Sequence, residues 1–199
     1  FVDKNFKKFP IAQELKLHFV TMIEYDKSLN ADVAYPTEKP VKDTLCAVLS
    51  RKGIKYAKIA ESEKAVHIGY FFNGKSKINL PCEEYVIIPS LKNVKSFDKY
   101  PEMRIKDVVA AIKRKLEDKE KRVLIANFAN VDVVGHTENE FAIKRAVEAV
   151  DSALGVVLKE AERRGVTVIV TSDHGTVENW LYPNGTINSG HTANPVPFI

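Results

Sequence analysis

Apolar, β-branched runs alternate with long amphipathic patterns along this chain, and that alternation restricts the fold more than any other feature. Tyr56–Ala60, Tyr85–Pro89, Arg122–Asn127 and Val166–Thr171 read as strands, the last two most clearly. Met103, Val108, Val109, Ile112 and Leu116 share one helical face. Ile143, Ala146, Val147, Val150, Leu154, Val157, Leu158 and Ala161 recur at helical spacing in a second pattern. Thr137-Glu138-Asn139-Glu140 has the form of a capping box at the start of the second helix, and Arg163-Arg164-Gly165 supplies its stop. Strands separated by helices of this length predict an α/β fold, a mostly parallel sheet flanked by helices. In such sheets ligands gather beyond the carboxyl ends of the strands.

The first segment reads differently. Leu17–Ile23 is strand-like, and Tyr35-Pro36-Thr37-Glu38-Lys39-Pro40 is polar and marked by Pro. Each Pro pushes its predecessor out of the helical region, which makes this stretch the best linker candidate. Val41–Lys52 then reads as a helix closed by Gly53. The net charge of +4 is spread without blocks of one sign, so neither nucleic acid nor a membrane surface is an expected partner. No apolar run approaches the ~18 residues of a membrane span. Cys46 and Cys82 lie far apart and form no Cys-x-x-Cys pair, which argues against a disulfide scaffold or a thiolate zinc site. With no secretory leader pattern, a cytoplasmic location is expected. A start on Phe1 and a finish inside the apolar run Val196–Ile199 read as a piece of a longer protein.

Candidate chemistry lies just past the strand ends. Asp132 and His136 follow Arg122–Asn127, Asp173 and His174 follow Val166–Thr171, and His191 follows the turn at Pro183-Asn184-Gly185. Each of these His residues adjoins a Gly, which permits close backbone approach. Imidazole with carboxylate suits a first-row divalent metal, and the spacing of Asp132 and His136 lets one helical turn bring both to one ion. Taken alone, each is as readily a hydrogen-bonded core or capping residue as a ligand. Their shared sheet edge favours metal binding, and five ligands exceed what one metal with an open position needs, so two metals are the economical reading. Lys64 and His67 follow Tyr56–Ala60 and can project over the same edge, although on pattern alone they read best as a solvated face above an aromatic core. His18 lies within a strand pattern far from these loops, where a structural role is the better reading.

Ordered segments then resemble a known family over about Phe19 to Ile199. They are Tyr25-Asp26, Ala60-Glu61-Ser62-Glu63-Lys64, Tyr70-Phe71-Phe72-Asn73-Gly74, Ile88-Pro89-Ser90, Tyr100-Pro101-Glu102-Met103, Asn127 through Thr137, Ser172-Asp173-His174-Gly175 and His191 through Pro197. Together they are similar to the cofactor-independent phosphoglycerate mutases, metalloenzymes of the alkaline phosphatase superfamily. The resemblance implies an alkaline-phosphatase-like fold, incomplete in this chain. It implies a cytoplasmic glycolytic isomerase that interconverts 3-phosphoglycerate and 2-phosphoglycerate through a phosphoserine, with two divalent ions, usually Mn2+. By matching position, Asp132, His136 and His191 are implied ligands of one ion, Asp173 and His174 of the other, and Lys64 a contact to the substrate phosphoryl group. His67 receives no role.

The resemblance also implies that residues 1–36 are the tail of a substrate-binding domain and 37–199 part of the phosphatase-like domain, in a monomeric parent enzyme. No serine here has the Gly-Asn-Ser context of the family nucleophile, so the 199 residues alone are expected to be inactive. Leu91, Val133 and Glu138 depart from the family's usual Pro, Met and Gly, and none is a proposed ligand. Two alternatives stay open. One is another phosphomutase or phosphatase of the same superfamily; the other is a non-catalytic metal-binding module.

Overall fold

The computed structural model describes residues 7–10, 17–35, 39–76 and 78–199. The chain divides into two compact units, Phe1–Pro40 and Val41–Ile199. Within the proposed linker, residues 36–38 lie outside the described ones, and so does the expected domain boundary at 36.

In the first unit the strand-like run 17–23 contributes a short ladder only. β1 (Val20–Thr21) pairs in parallel with β2 (Asp32–Val33), helped by Ala34 N–H donating to Thr21 O at 2.9 Å. His18 Nε2 lies 3.2 Å from Asp32 Oδ2, with both side chains largely exposed.

The second unit is built on a parallel three-stranded sheet in the order β4-β3-β5. Its strands are β3 (Tyr56–Glu61), β4 (Glu83–Ile88) and β5 (Val123–Asn127). Tyr56 pairs with both Glu83 and Val123, so the three strands run in close register. All six residues of β3 are buried, as a central parallel strand covered on both faces requires. Burial obliges the polar members of β3 to find partners. Lys58 Nζ lies 2.6 Å from Glu83 Oε1, and Glu61 Oε2 accepts the Arg104 N–H at 3.1 Å.

Helices cover the two faces. α1 (Leu45–Arg51) buries Cys46 and Leu49 against Tyr56, Val123 and Ile125. It starts later than the apolar pattern suggests because Thr44 caps it, its hydroxyl accepting Ala47 N–H at 3.2 Å; Val41 instead donates to Gly74 O at 2.9 Å. The opposite face of the sheet packs Ile59 against Val108, Ala111 and Ile112 of α2 (Ile105–Glu117). Met103 precedes this helix at φ 44°, outside the face assigned to it from spacing. α3 (Asn130–Gly135) and α4 (Glu140–Arg163) follow β5.

α4 buries Ala142, Ile143, Ala146, Ala153 and Ala161, while Val147 and Leu158 are exposed. Small residues at the contacts let α4 approach α2 and α3 closely and leave those two side chains on its flank. The capping box is not formed. Asn139 is the cap, its Oδ1 accepting Ala142 N–H at 3.2 Å, while Thr137 donates to Val134 O at 2.7 Å. Arg163 ends the helix and Gly165 follows at φ 65°, as expected.

One expected strand is absent from the ladder. Among the described residues, 166–171 pair in strand fashion with Phe198 and Ile199 alone, through a Thr171–Phe198 antiparallel bridge and the two hydrogen bonds between Val170 and Ile199, while Val166 N–H donates to Ala161 O at 2.9 Å. The run has strand composition, but among the described residues too few backbone partners to make a strand, and Ile169 stays 66% exposed. No helix of the described residues is long and apolar enough to cross a membrane.

Candidate metal centre

The carboxyl end of β5 leads into α3, a helix so short that both its ends need anchoring. Asn130, buried, donates through Nδ2 to Pro101 O at 2.8 Å. Val134, fully buried, packs against Ala142, Ile143 and Ala146 of α4. With those two fixed, Asp132 and His136 share the remaining face, and His136 Nε2 lies 3.2 Å from Asp132 Oδ1.

His191 arrives from a distant loop. Its Nε2 is 2.9 Å from Asp132 Oδ1 and 3.2 Å from His136 Nε2. The ligand atoms of Asp132, His136 and His191 all lie within 4.8 Å of one another. His136 Nδ1 meets the Ser189 carbonyl; donation of the Nδ1 proton there leaves Nε2 with a bare lone pair aimed at the cluster. Two imidazole nitrogens and a carboxylate oxygen converging on one point form a donor set suited to a first-row divalent cation.

His174 and Asp173 sit beside this group rather than in it. His174 Nε2 is 3.8 Å from Asp132 Oδ1 and 3.6 Å from Asp173 Oδ2, and its ring stacks on His191 at 3.6 Å. His174 Nδ1 lies 3.3 Å from the Thr176 hydroxyl.

Lys64 closes the other side. The chain leaves β3 through a 3-10 turn, Ser62–Lys64, and the ammonium bonds Asp132 Oδ2 with its side chain only 5% exposed. This base is clamped to the end of β4: Ser90 N–H donates to Ser62 Oγ at 2.9 Å, and Glu63 N–H to Ser90 Oγ at 3.3 Å. Burial raises the pKa of Asp132, but the Lys64 hydrogen bond and charge, with His136 and His174, outweigh it and hold the carboxyl below its usual range. His67 opens a π-helical turn, His67–Phe71, and burial with the nearby Lys64 charge lowers its pKa.

Of the residues singled out from the sequence, His136, His174, His191 and Lys64 thus gather around the Asp132 carboxylate, while Asp173 lies outside it against His174. Sequence reasoning missed the supports: the Ser62–Ser90 clamp, the Ser189 carbonyl, and Glu178, which accepts Thr176 N–H at 2.6 Å and Asn194 Nδ2 at 3.1 Å. Apart from Thr176, their partners come from other segments, so local spacing carries no signal of them.

The chain is 39% identical, over its whole length, to the 2,3-bisphosphoglycerate-independent phosphoglycerate mutase of Thermosynechococcus vestitus, of which it covers 37%. It is 39% identical over 99% of its length to the mutase of the same name from Clostridium botulinum, covering 38% of that protein. The chain therefore spans a little over a third of these relatives' length. Among solved structures, Leishmania mexicana phosphoglycerate mutase at low cobalt concentration superimposes with a TM-score of 0.80 at 27% identity, covering 98% of this chain and 38% of that one. Residues 19–199 match the metalloenzyme superfamily, and this chain belongs to that superfamily.

Proposed function

We propose that the full-length protein carrying this chain interconverts 3-phosphoglycerate and 2-phosphoglycerate by phosphoryl transfer, with two divalent ions, Mn2+ by preference. One observation carries the reading: a buried lysine and three imidazoles converge on the two oxygens of Asp132 at the carboxyl edge of a parallel sheet. The names of the relatives support the substrate. Asp132, His136 and His191 hold one ion. Asp173 and His174 contribute to the second, and the nucleophilic serine lies outside the matched segments. Residues up to 36 serve as the tail of the substrate-binding domain, and 37–199 belong to the phosphatase-like domain of a monomeric cytoplasmic enzyme.

Bound there, the ions supply positive charge to the transferring phosphoryl group and lower the pKa of a coordinated hydroxyl. The chain's own residues do the positioning. Asp132 Oδ2 holds the Lys64 ammonium, and the Ser62–Ser90 clamp fixes the turn that carries it, so a positive charge faces incoming phosphoryl oxygens at little cost in reorganisation. His136 keeps its proton on Nδ1, against Ser189 O, and presents Nε2 as a donor pair.

The test is turnover of 3-phosphoglycerate by the full-length protein, followed by coupled conversion of 2-phosphoglycerate, beside a generic phosphate ester. Asp132→Ala and His136→Ala are expected to lower turnover by at least about 100-fold and weaken Mn2+ binding. Hydrolysis of the generic ester without mutase turnover overturns the substrate assignment. Unchanged Mn2+ binding in both variants overturns the ligand assignment.

A further inference from the structure

Two ligand-bearing loops meet at a single carboxylate that touches neither ring. Glu178 lies in a 3-10 turn, Val177–Asn179, shortly after His174. Its Oε2 accepts the Thr176 N–H at 2.6 Å. Its Oε1 accepts the Thr192 hydroxyl, and Asn194 Nδ2 at 3.1 Å. The loops also join directly, Thr192 N–H donating to Gly175 O at 2.9 Å in an isolated antiparallel bridge. The junction is tight: a Cβ on Gly175 would overlap both Glu178 Oε1 and Thr192 Oγ1. From this junction the chain runs back to Asp173 and His174 on one side and His191 on the other, whose rings stack at 3.6 Å. Thr176, buried, extends the link by placing its hydroxyl 3.3 Å from His174 Nδ1.

We propose that Glu178 is a positioning residue of the metal centre, whose carboxylate fixes the spacing between the Asp173–His174 loop and the His191 loop so that the ligands of both ions are set together. The inference rests on the two-ion reading above. The chemistry at 178 is specific, because three donors from two loops require two acceptor oxygens. Glutamine keeps the size but offers one acceptor and turns an amide N–H2 against a donor.

The test measures Mn2+ binding to the full-length protein by equilibrium dialysis, with urea midpoints recorded in parallel. Wild type is expected to bind two ions. Glu178→Gln is expected to weaken both by about tenfold or more, the usual effect of losing an outer hydrogen-bonding partner. Thr192→Val, which removes one of the two side-chain arms reaching the His191 loop and leaves Asn194 in place, is expected to weaken the ion of Asp132, His136 and His191. Wild-type affinities in both variants overturn the role, as does a lowered urea midpoint with unchanged affinities, or a Glu178→Gln protein that loosens one ion alone. If Glu178→Gln does not fold, Thr192→Val decides by the same criterion. Failure of the wild type to bind two ions overturns the underlying two-ion reading and this proposal with it, whereas two tightly bound ions in wild type and variants overturn only the role of Glu178.

Discussion

Replacing Lys58 by Met tests whether the central strand depends on a buried charge pair. The Lys58 and Glu83 side chains are 0% and 2% exposed and lie 2.6 Å apart. Lys58 also sits 5.4 Å from the centroids of the Phe72 and Tyr85 rings. Met keeps most of the stem volume and fills irregular space well, so the cavity contribution is small. What remains is a buried carboxylate without its cation, with Asn73 Nδ2 at 3.2 Å as a neutral donor. Removing one partner of such a pair costs about 3–5 kcal/mol, and two lost cation–π contacts add roughly 1 kcal/mol. Against a domain stability of about 5–15 kcal/mol, the variant is expected to unfold at a much lower urea concentration. The single tryptophan, Trp180, packs near Val134, Ala142, Ile143 and Ala146 and reports on the unit that contains β3. Adding Glu83→Gln removes the stranded charge, so the double variant is expected to recover about 2 kcal/mol relative to Lys58→Met alone. A loss below about 1 kcal/mol in the single variant, or a double variant as unstable as the sum of the two singles, would refute the reasoning.

Glu84 receives Lys115 Nζ at 2.6 Å and Lys121 Nζ at 2.9 Å, and those hydrogen bonds hold its carboxyl below the usual value of 4.5. A depressed native pKa gives stability that is present above the unfolded value and lost as pH falls through the native one. Glu84→Gln is therefore expected to cost about 1 kcal/mol at pH 7 after solvent screening, with the gap to wild type closing in urea titrations at pH values below 4.5. Glu138 stands at φ 57°. Glu138→Gly is expected to stabilise by about 0.5–1 kcal/mol, raising the thermal midpoint, because relief of the left-handed strain exceeds the added unfolded-state entropy. Cys46 is fully buried and burial pushes its thiol pKa up, whereas Cys82 is half-buried. Thiol titration is expected to label Cys82 in the native protein and Cys46 only after denaturation.

What was legible in the sequence follows from how local each cause is. The apolar stretches of β3, β4 and β5 could be read because burial in a parallel sheet favours consecutive β-branched and apolar residues, whereas Glu83 and Glu84, which open β4, carried no such signal. The Asp132–His136 pair could be read because one turn of helix fixes it. The run 166–171 misled because composition measures fitness for a sheet, whereas a strand also needs paired backbone groups, and among the described residues this run has a single bridge. Thr137 and Asn139 both suit a cap; the choice fell to Asn139 because Thr137 donates back to Val134, ending α3 before α4 begins. Glu138, between the two helices, absorbs the resulting reversal at positive φ, a backbone conformation that a glycine adopts without strain. Glu178 and Ser90 had no local signature because the contacts that give them a role, to Thr192 and Asn194 and to Ser62 and Glu63, are distant in sequence.

The two oxygens of Asp132 divide the site electrostatically. Oδ1 faces the imidazoles of His136, His174 and His191, which lie 3.2, 3.8 and 2.9 Å away, while Oδ2 is committed to the Lys64 ammonium. A single carboxylate can serve both sides only if it is ionised, and the surrounding positive and polar groups keep its pKa down despite half-burial. The arrangement also couples the two sides. Both oxygens move with α3, so Oδ1 cannot change its distance to His174 and His191 without Oδ2 moving against Lys64. That is why the anchors lie outside the site: Asn130 on Pro101, Val134 in the α4 contact, and Ser62 on Ser90 fix the helix and the lysine turn independently of one another. A site whose charges are held by separate scaffolding does not have to reorganise as negative charge arrives, and that lack of reorganisation is what the proposed phosphoryl transfer requires.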